Sequence, residues 1–124
     1  MKYTPLHIKA MIAAESSFDP NAKSKTSTAT GLMQILEKSL GPLKGEKRKN
    51  WRELDDNYVS VSLEDLKDPA INIAVGTRWL AHNYYLLRNQ KDKSLKATIR
   101  AYHSKDKAGD KYAEKVLKLY EESK

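Results

Sequence analysis

The sequence predicts a mainly α-helical protein built as a single domain over residues 1–124. Apolar residues recur at three- and four-residue spacing in several segments, which is the period of an amphipathic helix. Two segments open with a capping residue followed by proline, at Thr4-Pro5 and Asp68-Pro69, a common start of a helix. A chain of 124 residues can bury one hydrophobic core. We therefore expect short helices packed around one buried central helix.

Start and stop signals place the individual helices. The predicted helices cover residues 5–16, 31–36, 69–88, 95–103 and 111–122. Thr30, Ser94 and Asp110 are the expected N-caps of the second, fourth and fifth helices.

The segments between the helices carry their own signals. Residues 41–61 are the least regular part of the chain, with a short extended piece at 58–61. Gly76 lies inside the longest predicted helix, where glycine costs roughly 1 kcal/mol relative to alanine. We therefore expect Gly76 to mark close packing against another helix.

Composition and charge exclude several classes of function. The net charge of +7 favours polyanionic partners, but the basic residues are scattered, with one short cluster at 44–52. Because no recognition helix, zinc-ligand spacing or RNA-binding aromatic signature is visible, we expect no specific nucleic-acid partner. The chain has no cysteine, and no apolar run approaches the roughly 20 residues of a membrane span. A solvated basic surface without a specific partner remains an alternative.

Glu15 is the residue that most clearly indicates chemistry. Its spacing from Ile8, Met11 and Ile12 places all four residues on one helix face. A carboxyl group that an apolar face carries inward resists ionisation, and a helix C-terminus nearby acts in the same direction. A carboxylic acid that stays protonated near neutral pH suits general acid catalysis. The alternative is a glutamate at the helix flank, with its carboxylate in solvent.

Four sequence blocks occur in one order along the chain. They are Glu15-Ser16, Gly31-Leu32-Met33-Gln34, the run 72–80, and Ala101-Tyr102-His103 followed by the run 112–117. Together they resemble the soluble lytic transglycosylase family, relatives of goose-type lysozyme, over about residues 5–120. The resemblance implies a lysozyme-like fold in which the helix that bears Glu15 ends at a glycan-binding cleft.

The resemblance also implies a reaction. Enzymes of that family cleave the β-1,4 bond between N-acetylmuramic acid and N-acetylglucosamine in peptidoglycan, using one glutamate as acid and then as base. The muramoyl 6-hydroxyl closes a 1,6-anhydro ring, so neither a metal nor a cofactor is needed. Glu15 would be that glutamate. We expect a monomer acting on the cell wall outside the cytoplasm, although no signal peptide is visible.

Further residues fall at positions for which the resemblance implies a place near the acid or the glycan. They are Ser24, Met33, Gln34, Tyr102, His103 and Tyr112. Core packing explains Met33 and Tyr112 equally well. His103 departs from the family, which usually has Ala-Tyr-Asn, and an imidazole offers different donors and acceptors from an amide.

Two other functions stay open at this point. A hydrolytic goose-type-like lysozyme, such as a phage endolysin, would use water where the transglycosylase uses the 6-hydroxyl. It normally needs a second carboxylate. Near Glu15 the sequence offers only Asp19, which precedes Pro20 and is typical of a turn, while Asp55, Asp56 and Asp106 fall in loops. The other alternative is a non-catalytic basic module that binds wall polymer or nucleic acid.

Overall fold

The computed structural model describes residues 3–43, 61–87, 91, 94–104 and 107–124, without the side chains of 41–43 and 107. The basic cluster at 44–52, the predicted extended piece up to residue 60, and Asp55, Asp56 and Asp106 lie outside the described residues. The described part of the chain is mainly helical, which confirms the predicted fold class. Its helices are α1 Pro5–Ser16, α2 Glu37–Leu43, α3 Pro69–Leu87, α4 Leu95–His103 and α5 Lys107–Glu122, with a 3-10 helix at Asp65–Lys67.

The chain divides into two compact units, Met1–Phe18 with Trp79–Lys124 and Asp19–Arg78. In the first unit, α5 packs against both α1 and α4. The rings of His7 and Tyr120 stack with centroids 3.7 Å apart, and the side chain of Glu15 lies near that of Tyr112. Because the start of α1 meets the end of α5 and the end of α1 meets the start of α5, these two helices run antiparallel.

Most helix boundaries agree with the predicted signals. Thr4 is the N-cap of α1, and its backbone N–H donates to Nδ1 of His7 at 2.9 Å. The Ser94 hydroxyl caps α4 by accepting from the backbone N–H of Ala97 at 3.1 Å. The predicted cap at Asp110 is wrong, because α5 already begins at Lys107. Asp110 lies in its first turn, where its carboxylate pairs with Arg100 of α4 at 3.3 Å.

The largest difference between the predicted and the observed elements lies in the second unit. Residues 31–34 form a turn rather than a helix, and isolated bridges join Thr30 to Lys23 and to Ile35. Gly31 and Gln34 have φ of +80° and +49°, which a right-handed helix cannot contain. The backbone N–H of Gly31 donates to the carbonyl of Ala22 at 2.8 Å, so a contact outside the segment fixes its shape.

Helix α3 carries several buried residues, although Ala74 and Ala81 on it are exposed. Asn72, Val75, Gly76 and Leu80 are buried along it. A Cβ atom on Gly76 would overlap the Met33 sulfur, so the predicted close approach exists, although it is to the turn at 31–34 and not to a helix. No helix in the described part of the chain is long and apolar enough to cross a membrane.

Candidate active site

Glu15 lies in the last turn of α1, on the face that the apolar spacing predicted. Met11 is fully buried and Ile12 is 7% exposed, while Glu15 is half-buried. The helix ends directly after it, since Ser17 adopts left-handed backbone with φ of 52° and its N–H donates to the carbonyl of Ala13 at 3.1 Å. Phe18 follows with φ of 66°, which turns the chain away from the helix axis.

Burial sets the proton affinity of Glu15. It raises the pKa of the carboxyl from 4.5 to about 7, because low dielectric disfavours the carboxylate. The Tyr112 hydroxyl and the Lys115 ammonium act in the opposite direction and lower the pKa, since both favour the charged form. Near neutral pH a large fraction of the group is therefore still protonated, as a general acid requires.

Two buried tyrosines belong to the same cluster. Tyr102 of α4 is 7% exposed and Tyr112 of α5 is 8% exposed. Burial raises the pKa of both hydroxyls well above the usual value, and the charge of Glu15 adds to the effect. Both tyrosines therefore remain neutral hydrogen-bond donors at any pH at which Glu15 titrates.

The Tyr112 hydroxyl is close enough to Glu15 to lower the pKa of the carboxyl. Within the described residues, however, the buried hydroxyl oxygen has no partner that meets strict hydrogen-bond geometry. Both observations are consistent with an approach that is too long or too oblique for a full hydrogen bond. Catalytic hydrogen bonds in unliganded proteins are often of this kind.

His103, the last residue of α4, is exposed and stacks on Tyr112. The two ring centroids are 4.6 Å apart and the planes are inclined by 24°. The structure thus brings together four of the predicted site residues in the first compact unit. They are Glu15, Tyr102, His103 and Tyr112.

The three other predicted residues lie in the second compact unit. Ser24 is half-buried, and its Oγ accepts from the backbone N–H of Thr26 at 3.2 Å. The Gln34 amide nitrogen donates to the carbonyls of Ala22 and Gly31 at 3.0 and 2.9 Å, so hydrogen bonds within this unit hold the side chain in place. Met33 is fully buried and lies against Gly76, so it fills the core of this unit and supports the turn from beneath.

Asn72 is an important residue that the sequence reasoning did not single out. It is fully buried in α3, and its side-chain oxygen accepts from the backbone N–H of Met33 at 2.7 Å. Its amide nitrogen donates to the carbonyls of Thr30 and Leu66 at 2.9 and 2.8 Å. The helical spacing of Asn72 from Val75 could have indicated a buried polar residue, as the spacing of Glu15 from Met11 and Ile12 did.

The sequence reasoning also missed Lys115 as a neighbour of Glu15. It lies one turn after Tyr112 on α5, and its positive charge favours the carboxylate of Glu15. The i, i+3 spacing from Tyr112 was the signal that could have found it. Among the described residues, no group of three or more histidine, aspartate or glutamate side chains is placed to hold a metal ion.

A helical protein with a carboxyl of raised pKa beside two neutral tyrosines can protonate a leaving oxygen, as proteins of the lysozyme-like class do. The family model described as the transglycosylase SLT domain matches residues 2–120, and the chain belongs to that family. The match covers most of both compact units.

The chain is also similar to the membrane-bound lytic murein transglycosylase E of Buchnera aphidicola subsp. Acyrthosiphon pisum. The two are 35% identical over 97 residues, which are 77% of this chain and 40% of the relative. The chain therefore matches about two-fifths of that relative's length. No solved structure matches it significantly.

Proposed function

We propose that this chain is a single catalytic domain that cleaves the β-1,4 bond between N-acetylmuramic acid and N-acetylglucosamine in peptidoglycan, with Glu15 as acid and then base. The observation that carries the proposal is the Glu15 carboxyl, whose pKa burial raises to about 7 in a cluster with two tyrosines. Membership of the transglycosylase SLT domain family and the murein transglycosylase relative support the substrate. The site of action is then the cell wall, outside the cytoplasm.

Two proton transfers complete the reaction. In the first, the Glu15 carboxyl gives its proton to the glycosidic oxygen as the bond from that oxygen to the muramoyl C1 breaks. In the second, the Glu15 carboxylate removes the proton of the muramoyl 6-hydroxyl while the oxygen of that hydroxyl bonds to C1. The products are a 1,6-anhydro end and a free 4-hydroxyl, no water is consumed, and Glu15 regains its proton.

The surroundings of Glu15 support a mechanism with one acid. Among the described residues, the groups that lower its pKa are a tyrosine hydroxyl and an ammonium group, and neither can act as the nucleophilic carboxylate of a retaining hydrolase. Lys115 and Tyr112 stabilise the carboxylate that exists between the two transfers. Ser24 and the Gln34 amide oxygen are proposed to contact the glycan, while Met33 acts indirectly by supporting the turn that carries Gln34.

Digestion of purified peptidoglycan, followed by mass spectrometry of the muropeptides, tests this function. Muramoyl ends lighter by one water than ordinary reducing ends would support ring closure. Ordinary reducing ends would contradict it and identify a hydrolase. Binding without any release of muropeptides would contradict catalysis and identify a wall-binding module.

The role of Glu15 is tested by Glu15→Gln, which keeps the shape of the side chain and removes the acidic proton of the carboxyl. We expect kcat to fall by about 100- to 10,000-fold, the usual worth of a general acid. Glu114→Gln is the matched control, because Glu114 is an exposed residue of α5 whose side chain pairs with Lys96 at 3.6 Å. Equal activity of the two variants would refute Glu15 as the acid.

A further inference from the structure

The exposed ring of His103 makes a stacking contact that its predicted role in glycan binding does not require. The imidazole covers the ring of buried Tyr112 at a centroid distance of 4.6 Å and an inclination of 24°, a normal geometry for an attractive ring pair. An exposed side chain at a helix end is ordinarily free to choose among rotamers. The stack fixes this one against Tyr112, whose hydroxyl acts on Glu15.

We propose that His103 is a positioning residue that holds the Tyr112 hydroxyl beside Glu15. Tyr112 is the contact between them, because its ring meets the imidazole and its hydroxyl interacts with the carboxyl. Among the described residues, no group makes a hydrogen bond of good geometry with the Tyr112 hydroxyl, so no such bond fixes the orientation of the ring. Packing of neighbouring side chains must then orient the Tyr112 ring, and His103 packs against one face of that ring.

The other groups that face Glu15 do not depend on this stack. Lys115 of α5 lowers the pKa of Glu15 through its charge, and Tyr102 of α4 lies near enough for the charge of Glu15 to raise the pKa of the Tyr102 hydroxyl. Loss of the stack should therefore alter one contribution to the proton affinity of Glu15 and leave the others in place.

The direction of the effect follows from the role of Tyr112. Its hydroxyl favours the carboxylate, so a poorly placed hydroxyl leaves the protonated form of Glu15 more stable. His103→Ala should raise the pKa of Glu15 by roughly 0.5 unit, about half of what complete loss of a hydrogen bond to a charged group causes. His103→Phe should restore the original value, because phenylalanine keeps the ring contact without the imidazole nitrogens.

The experiment is an NMR titration of the Glu15 carboxyl carbon in the full chain, with peptidoglycan cleavage measured over the same pH range. The variants are His103→Ala, His103→Phe, and each of these combined with Tyr112→Phe. Lys96→Ala is the control, since it removes an exposed side chain from the same helix. If His103→Ala fails to fold, His103→Asn replaces it, because asparagine also lacks a ring.

The proposal expects three results together. Without the ring at position 103, Glu15 titrates at higher pH; with phenylalanine it titrates as in the native chain; and in the Tyr112→Phe background neither change has any effect. An unchanged titration in His103→Ala, or a shift that persists when the Tyr112 hydroxyl is absent, would overturn the proposal. So would a shift in His103→Phe as large as that in His103→Ala.

The cleavage assay separates this proposal from the function on which it rests. If the native chain cleaves peptidoglycan, the pH above which cleavage declines should move with the NMR titration. A native chain that cleaves nothing while the three NMR results hold would refute the proposed function and still support the positioning role. If the NMR shift occurs and the pH profile of cleavage does not follow it, Glu15 is not the acid that limits cleavage, and the proposed function is contradicted while the positioning role of His103 stands.

Discussion

Replacement of Asn72 by alanine should destabilise the protein more than most single substitutions. Its side chain makes three buried hydrogen bonds to backbone groups, with the N–H of Met33 at 2.7 Å and the carbonyls of Thr30 and Leu66 at 2.9 and 2.8 Å. At a net contribution of about 1 kcal/mol each, their loss lowers the free energy of unfolding by about 3 kcal/mol. The orphaned backbone groups can add to this cost, which is already large beside a usual total of about 5–15 kcal/mol.

Urea unfolding followed by circular dichroism at constant pH measures this effect. Asn83→Ala is the matched control, because Asn83 is a buried asparagine of the same helix whose amide donates to one backbone carbonyl, that of Trp79, at 2.7 Å. That variant should lose about 1 kcal/mol. A difference between the two variants of less than about 1 kcal/mol would show that the three bonds do not act as a buried network.

The remaining predictions concern Glu15, Gly76 and His7. Because folding raises the pKa of Glu15 from 4.5 to about 7, its stabilising contribution is fully present below pH 4.5 and is lost as the pH rises through 7. Relative to Glu15→Gln, the native chain should therefore lose stability on the order of 2–3 kcal/mol between these pH values, as measured by urea unfolding at each pH. Gly76→Ala places a methyl group against the Met33 sulfur and should cost about 1–3 kcal/mol in the free energy of unfolding. His7→Ala removes the acceptor of the Thr4 N–H and should lower the thermal midpoint, with a loss of about 1 kcal/mol.

Each of these predictions has its own control. The stability difference between native chain and Glu15→Gln should vanish at acid pH, and a constant difference at every pH would contradict the raised pKa. For Gly76, the added substitution Met33→Ala should make the alanine less costly, because it removes the sulfur that the new methyl group meets. For His7, glutamine keeps an acceptor at the end of its side chain, so His7→Gln should lose less than His7→Ala; the reverse order would show that the cap is unimportant.

Local patterns were sufficient for the parts of this fold that depend on local chemistry. The first helix and its cap at Thr4 follow from residues that are neighbours in sequence, and so does the inward phase of Glu15. The start of α5 was predicted too late because Asp110 is a good capping residue in isolation. Its carboxylate instead pairs with Arg100 on another helix, and sequence spacing does not contain that contact.

The turn at residues 31–34 was mispredicted for a related reason. Thr30 followed by Gly31 and apolar residues satisfies the rules for a short helix as well as those for a turn. The choice is made by partners far along the chain, since Ala22 accepts from the N–H of Gly31 and Asn72 accepts from that of Met33. A Cβ atom on Gly31 would also overlap the Asn72 amide, so the turn and the helix beneath it specify each other.

The candidate acid likewise depends partly on local sequence pattern and partly on contacts with residues distant in sequence. Helical phase identifies Glu15 as an inward carboxyl, but phase alone does not determine how strongly the carboxyl holds its proton. That strength is set by burial, which raises the pKa, and by Tyr112 and Lys115 of α5, which lower it and approach the carboxyl only after the chain has folded. Substitutions at these distant positions, or at His103 behind Tyr112, can therefore alter the pH range of the acid while its place at the end of α1 stays fixed.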